Sequence, residues 1–196
     1  MRISICEKVL LAGACMMAGV TGWAQGAHDP AAPASVDVAI VYHSLMTNVV
    51  GGERFWMQGG SVQIHGQFWH GLGVVADVSG LHAGSTNGSS VGLDLVTATF
   101  GPRYSWTLAG GRYGCFGQFL VGEANGLNSV FPGVSGVSDS ASSMALLTGG
   151  GVNVKVGRRV AIRAFEAEWL RTQMPNSTTN VQNSLRLGAG LVFKFK

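Results

Sequence analysis

Charge is what this 196-residue sequence most lacks. Its 13 Lys and Arg and 10 Asp and Glu make up 12% of the chain, roughly half of what a soluble domain carries. A net charge of +3 excludes the basic footprint of a nucleic-acid-binding protein. With 46% hydrophobic residues the chain is too apolar to stay open and solvated, which excludes disorder. Cysteine is scarce too: Cys6 and Cys15 fall near the N-terminus and only Cys115 lies in the body of the chain. Long hydrophobic runs are missing as well. Beyond residue 30 no apolar stretch nears the ~18 residues of a membrane-spanning helix. Glycine, by contrast, is abundant at 30 residues, and so apolar a chain calls for something other than water against much of its surface.

Residues 1–24 read as a secretory signal peptide. Arg2 and Lys8 flank the start of the uncharged run Val9–Val20, and Gly22-Trp23-Ala24 places small residues three and one positions before a cut. Cys15 lacks the lipoprotein pattern, since Ala12 stands where a leucine is wanted. Cleavage removes Cys6 and Cys15, so the exported chain can form no internal disulfide and must be held together in another way. Residues 25–34 form a short Pro/Ala linker, and 35–196 is expected to be one β domain.

Beyond the linker, apolar and polar residues alternate. In Leu185–Phe195 one face carries Leu185, Leu187, Ala189, Leu191, Phe193 and Phe195, and the other Arg186, Gly188, Gly190, Val192 and Lys194. A period of two over that length is a β-strand with one apolar face. The same reading yields strands over 35–43, 56–68, 72–80, 95–105, 113–122, 144–156 and 160–172. The last of these breaks parity. Val160, Ile162 and Ala164 share one phase, and Phe165, Ala167 and Trp169 take the other. One extra residue near Ala164–Phe165, a β-bulge, would put Arg163, Glu166 and Glu168 together on the polar face.

The connections at 69–71, 105–111 and 157–159 are short, whereas 44–54, 81–92, 123–142 and 173–180 are long and rich in Gly, Ser, Thr and Asn. Eight strands with tight turns at one end and long loops at the other predict an all-β, eight-stranded antiparallel up-and-down transmembrane β-barrel. Tyr42, Trp56, Trp69, Tyr104, Trp106 and Trp169 near strand ends suit its interfacial girdles. A soluble barrel with its apolar face inward is the alternative. Its polar face would meet water and call for far more Lys and Glu than 12% charge supplies.

The signal peptide, the eight alternating segments, the stretch Phe-Gly-Pro-Arg-Tyr-Ser-Trp at 100–106 and the terminal Leu-Val-Phe-Lys-Phe together resemble the small outer-membrane β-barrels, such as the transmembrane domain of outer membrane protein A. The resemblance implies outer-membrane lipids as surroundings. It also implies that Leu191, Phe193 and Phe195 form the signal read by the barrel-insertion machinery, although here Lys196 follows the last aromatic. No strand follows Phe195, so a barrel without a periplasmic domain is expected.

The inward faces collect Asp37, Asp77, Glu166 and Glu168 with Arg103, Lys155, Arg163 and Arg186. Buried charges persist only when paired, so these are expected to form a salt-bridge network plugging the lumen. Re-pairing within it could gate a narrow ion path. A wide porin is excluded, because open channels need ~16–18 strands. Lipid-modifying enzymes exist among small outer-membrane barrels, and His43, Ser44, His65, His70 and His82 are the residues here that such chemistry could use, with His43-Ser44 at the loop end the most suggestive. The histidines show no metal-ligand spacing, and no cofactor is implied. Cys115 reads as a small apolar residue on the lipid face. Residues 123–142 make the longest loop, which could recognise a partner, prolong two strands as a hairpin, or hide a further strand pair.

Overall fold

A computed structural model describes residues 35–49, 54–86, 91–133, 136–176 and 179–195. The expected leader (1–24) and linker (25–34) lie outside these residues. The strands are β1 (Ser35–Thr47), β2 (Phe55–Trp69), β3 (Leu72–Ala83), β4 (Leu93–Leu108), β5 (Tyr113–Leu127), β6 (Phe131–Gly133), β7 (Gly136–Ser138), β8 (Ala141–Lys155), β9 (Val160–Thr172) and β10 (Gln182–Phe195). Eight of them close a barrel in the order β1-β10-β9-β8-β5-β4-β3-β2, while β6 and β7 form a separate hairpin in the longest loop. Closure is made by β1 against β10, antiparallel from Val36 opposite Phe195 to Met46 opposite Leu185. Within the barrel every strand edge is paired, so none of its ladders is left open to water or lipid.

The short connections and both strand termini lie at one end, here the turn end; the longer connections lie at the loop end. The His70-Gly71 turn depends on glycine. Gly71 has φ +91° and its backbone carbonyl accepts from Ser105 N at 2.7 Å. A Cβ there would collide with the Ser105 carbonyl oxygen.

On β9, Ile162, Ala164, Phe165 and Trp169 face outward, whereas Arg163, Glu166, Glu168 and Leu170 are buried inside. The register supplies the cause. Against β8, Asn153 pairs with Arg163 but the next residue, Val152, pairs with Phe165; against β10, Gly190 pairs with Arg163 and Gly188 with Glu166. β9 therefore carries one residue more than its neighbours at Ala164–Phe165. That bulge keeps the carboxylates of Glu166 and Glu168 on the same side as Arg163.

The strands run further toward the loop end than the alternation alone suggested. β1 continues to Thr47, β3 to Ala83 and β5 to Leu127. In these extensions the pattern changes phase. Lower down, Ile40, Val62, Val78, Phe100, Phe119 and Ile162 face outward and are well exposed. Higher up, the outward row is polar (Ser44, Gln58, His82, Asp94, Glu123, Asn125), and the inward residues Leu45, Met57, Leu81, Leu93, Leu95 and Leu147 are buried. Ser44, Gln58, His82 and Asp94 stand directly opposite one another across successive ladders. Across β2–β5 the apolar exterior band thus gives way to a polar collar, whereas Met46, Trp56 and Leu185 keep the exterior apolar where β10, β1 and β2 meet. Trp69, Tyr104 and Trp106 border the band at the turn end and Tyr42, Trp56 and Trp169 toward the loop end, all exposed on the outside.

Candidate functional site: the barrel lumen

The lumen is filled in layers. Its loop-end half is mainly apolar: Leu45, Met57, Leu93, Leu95, Leu120, Leu147 and Leu170 form one buried cluster, beside the buried polar pairs Thr47–Ser184 and Thr172–Gln182. Phe131 of the β6–β7 hairpin and Met174 of the β9–β10 loop join this cluster, at 1% and 0% exposure. Gly126 lets both approach: a Cβ there would lie 2.6 Å from the Phe131 ring and 3.2 Å from Met174 Sδ. The hairpin is therefore a stopper as well as a surface feature.

Below the apolar layer lies a polar one. Arg186 Nη1 and Nη2 donate to the two Asp77 carboxylate oxygens at 3.1 Å each, and Arg186 Nε donates to Glu168 Oε2 at 2.6 Å. Glu168 Oε1 accepts from the Gln118 amide at 2.6 Å, whose own oxygen accepts from Arg103 Nε at 2.7 Å. Gln63 does the same between a second set: its oxygen accepts from Arg103 and Arg163, and its amide donates to Glu166 at 3.1 Å. Arg163 closes the set through Glu166 at 3.2 Å and Asn153 at 3.1 Å. Two neutral amides thus link three guanidiniums and three carboxylates in one continuous network, all of it buried. Phe116 lies between two of the cations, its ring centroid 4.4 Å from Arg103 Cζ and 4.5 Å from Arg163 Cζ. The β8 glycines make room for this: a Cβ on Gly151 would stand 2.9 Å from the Phe116 ring, and one on Gly149 2.8 Å from Glu168 Cγ.

Of the eight charged residues expected inside, six meet in this network. Asp37 is nearer the turn end and pairs with His65 Nδ1 at 2.8 Å. Lys155 departs from the expectation. It has the inward parity, but it is the last residue of β8 and is exposed at the rim, where a long cation reaches water. Sequence reasoning passed over Gln63 and Gln118, which carry no charge to flag them; their inward parity between charged neighbours was the available signal. It also placed several of the apolar-layer residues in loops. Below the network a cavity of about 380 Å³ opens at the turn end, lined in part by Asp37, His65, Gln67, His70, Asn153 and Lys194.

The catalytic candidates are dispersed. His43 points into the lumen, where Nε2 lies 2.9 Å from Ser61 Oγ, whereas its neighbour Ser44 is on the opposite face and accepts from Gln58. Adjacent residues of a strand face opposite ways, so His43 and Ser44 cannot form a nucleophile–base pair. His82 pairs with Asp94 at 2.6 Å in the exposed collar, and His70 sits in the exposed turn against Trp69. His43, Glu166 and Glu168 do offer ligand-type atoms within 4.8 Å of one another. Arg163 and Arg186 already neutralise those two carboxylates, so a dication would add uncompensated charge to a buried cluster.

The sequence matches no family model and no curated protein. Solved structures do match. The attachment invasion locus protein Ail of Yersinia pestis, solved in complex with the heparin analogue sucrose octasulfate, aligns with a TM-score of 0.55 at 16% identity over 83% of this chain and 99% of its own. Neisserial surface protein A aligns with a TM-score of 0.55 at 16% identity over 85% of this chain and 100% of its own. This chain has the fold of the small outer-membrane β-barrels. At that identity the likeness concerns architecture: eight antiparallel strands closed first to last. Leu191, Phe193 and Phe195 lie on the outward face of the closing strand β10, with Leu191 and Phe195 well exposed. Cys115 has the outward parity of Tyr113 and Phe119 and is half-buried as a free thiol.

Proposed function

We propose that this protein is exported by its leader to the outer membrane of a diderm bacterium, where it serves envelope integrity and surface interaction rather than transport or catalysis. Loops face outward and both barrel ends of the chain face the periplasm. The outward aromatic stripe of β10, Leu191, Phe193 and Phe195, is the segment offered to the insertion machinery. The lumen network of Asp77, Arg103, Arg163, Glu166, Glu168 and Arg186, with Asp37 and His65 beneath it, acts as an internal brace.

The observation carrying this reading is the two-layer filling of the lumen. A buried apolar cluster capped by Phe131 and Met174 lies over a buried ion-pair network, so both halves of the lumen are filled by side chains. What the barrel presents to the outside is the β6–β7 hairpin, with Val130 47% and Val137 73% exposed on a base pinned by buried Phe131. An anchored hairpin with exposed valines at Val130 and Val137 is suited to contact with a partner.

The test is a strain lacking the protein beside one carrying Val130→Ser with Val137→Ser. Loss of detergent resistance or adhesion in the first, and loss of adhesion with intact detergent resistance in the second, is the expected result. A null strain unchanged in both properties would contradict the proposal. Deleting the whole hairpin is a poorer test, because it also removes the lumen stopper Phe131.

A further inference from the structure

The charges outside the lumen are unevenly divided between the two ends. At the loop end the described residues include Asp94, Glu123 and Asp139 against Arg54 and Arg171. At the turn end Arg112, Lys155, Arg158, Arg159 and Lys194 are all exposed. Among the described residues Asp37 is the one carboxylate side chain at that end, and it is tied to His65 inside the mouth. The cations are also neighbours. Lys155 N donates to the Arg112 carbonyl at 2.9 Å, and Lys194 N donates to the Arg159 carbonyl at 2.7 Å. Residues far apart in sequence are thus brought to one arc of the rim, formed by the β5 start, the β8–β9 turn and the β10 end.

This arc borders the apolar band directly. Trp106, Tyr113, Val156 and Phe195 are exposed on the outside at the same end, and the Arg112 guanidinium lies 5.9 Å from the Tyr113 ring. Arg112, beside the outward Tyr113, and Arg158 and Arg159 in the adjoining turn sit where phospholipid phosphates lie. Lys155 and Lys194, by contrast, have the inward parity of their strands and belong to the mouth of the lumen. Resting on the membrane placement proposed above, we propose that the arc Arg112, Arg158 and Arg159 is a binding surface for anionic phospholipid headgroups of the periplasmic leaflet. The arc selects phosphatidylglycerol-type lipids as an annulus on one side of the barrel. A cell-wall polymer would be met by cations projecting beyond the lipid boundary, whereas these sit at it.

Tryptophan fluorescence reads this directly, since Trp69 and Trp106 face the same rim. The full chain is folded into phosphatidylcholine vesicles containing either brominated phosphatidylglycerol or, at equal mole fraction, brominated phosphatidylcholine. Quenching by the anionic lipid should exceed quenching by the zwitterionic one by about twofold or more, and high salt should abolish the excess. The excess should vanish in the variant Arg112→Gln, Arg158→Gln, Arg159→Gln and persist in Arg54→Gln with Arg171→Gln. Where the threefold variant does not fold, Arg158→Gln with Arg159→Gln, confined to the exposed turn, should still reduce the excess. Equal quenching by both lipids in a native chain that shows its folded gel mobility would overturn this inference and leave the membrane placement standing. Failure to fold into either vesicle would overturn both. Rim-dependent binding to cell-wall sacculi without any lipid preference would also overturn it, assigning the arc to the polymer.

Discussion

Arg186 and Asp77, 109 residues apart in sequence, grip each other across the lumen through two parallel 3.1 Å hydrogen bonds. They stand on β10 and β3, separated around the wall by β1 and β2, so the pair braces two sides of the barrel that no backbone ladder joins.

Breaking this brace from one side should be costly. Arg186→Ala leaves Asp77 and Glu168 buried without their cation, and a loss of roughly 3–5 kcal/mol is expected. Lys155→Ala, at the exposed rim, should change stability by less than about 0.5 kcal/mol. Urea unfolding of the two variants in lipid vesicles checks the contrast, and equal effects would contradict the burial difference between the two sites.

Gly151 is the gap that admits Phe116 between Arg103 and Arg163. Gly151→Val would set a Cβ into the Phe165 carbonyl oxygen and 2.9 Å from the Phe116 ring, so it should strain the β8–β9 ladder as well as displace the ring, at a cost of at least about 1–3 kcal/mol. Gly110→Ala, at a turn position where a Cβ would meet open space, is strained through its φ of +65° alone and serves as the comparison. A Gly151→Val barrel as heat-resistant as the native one would contradict the packing described for Phe116.

The apolar layer should keep the lumen closed whatever happens beneath it. In planar bilayers the native chain, Arg163→Ala and Glu168→Ala should all leave the baseline current unchanged. Stepwise conductance appearing in either variant alone would show that the charged layer is the gate and that the leucine layer above it is no barrier.

In the polar collar, above the apolar band, the His82 imidazole, and then the Asn128 amide, hold the Asp94 carboxyl below its ordinary range. A carboxyl with its folded value lowered contributes while ionised, so this clasp is present above the ordinary carboxylate range and is lost as pH falls through the folded value. The collar should stay clasped at neutral and mildly acidic pH. His82→Ala should raise the Asp94 midpoint in a carboxyl NMR titration; an unmoved midpoint would remove His82 as the cause.

Much of the fold was legible in the sequence. The closing strand β10 alternates over its whole exposed stretch, and the parity break at Ala164–Phe165 located the β9 bulge, because a misplaced Glu166 or Arg163 on an apolar face is too costly to ignore. The upper barrel was less legible. At Gly80-Leu81-His82-Ala83 the period of two persists while its phase inverts, since the exterior changes there from an apolar band to a polar collar. Read with one fixed phase, those residues look like loops. The network was half legible for a similar reason: charge marked Arg186 and Glu168 as partners in need of each other, but nothing marked Gln63 and Gln118 as the bridges.

The central claim, that the apolar exterior faces lipid, is tested most directly by gel mobility of the protein from outer-membrane fractions, loaded in SDS with and without boiling. A closed barrel extracted from the membrane should resist cold detergent, run compact, and shift to the mobility of the unfolded chain on heating. A protein recovered in the soluble periplasmic or secreted fraction, with one mobility in both lanes, would contradict the account.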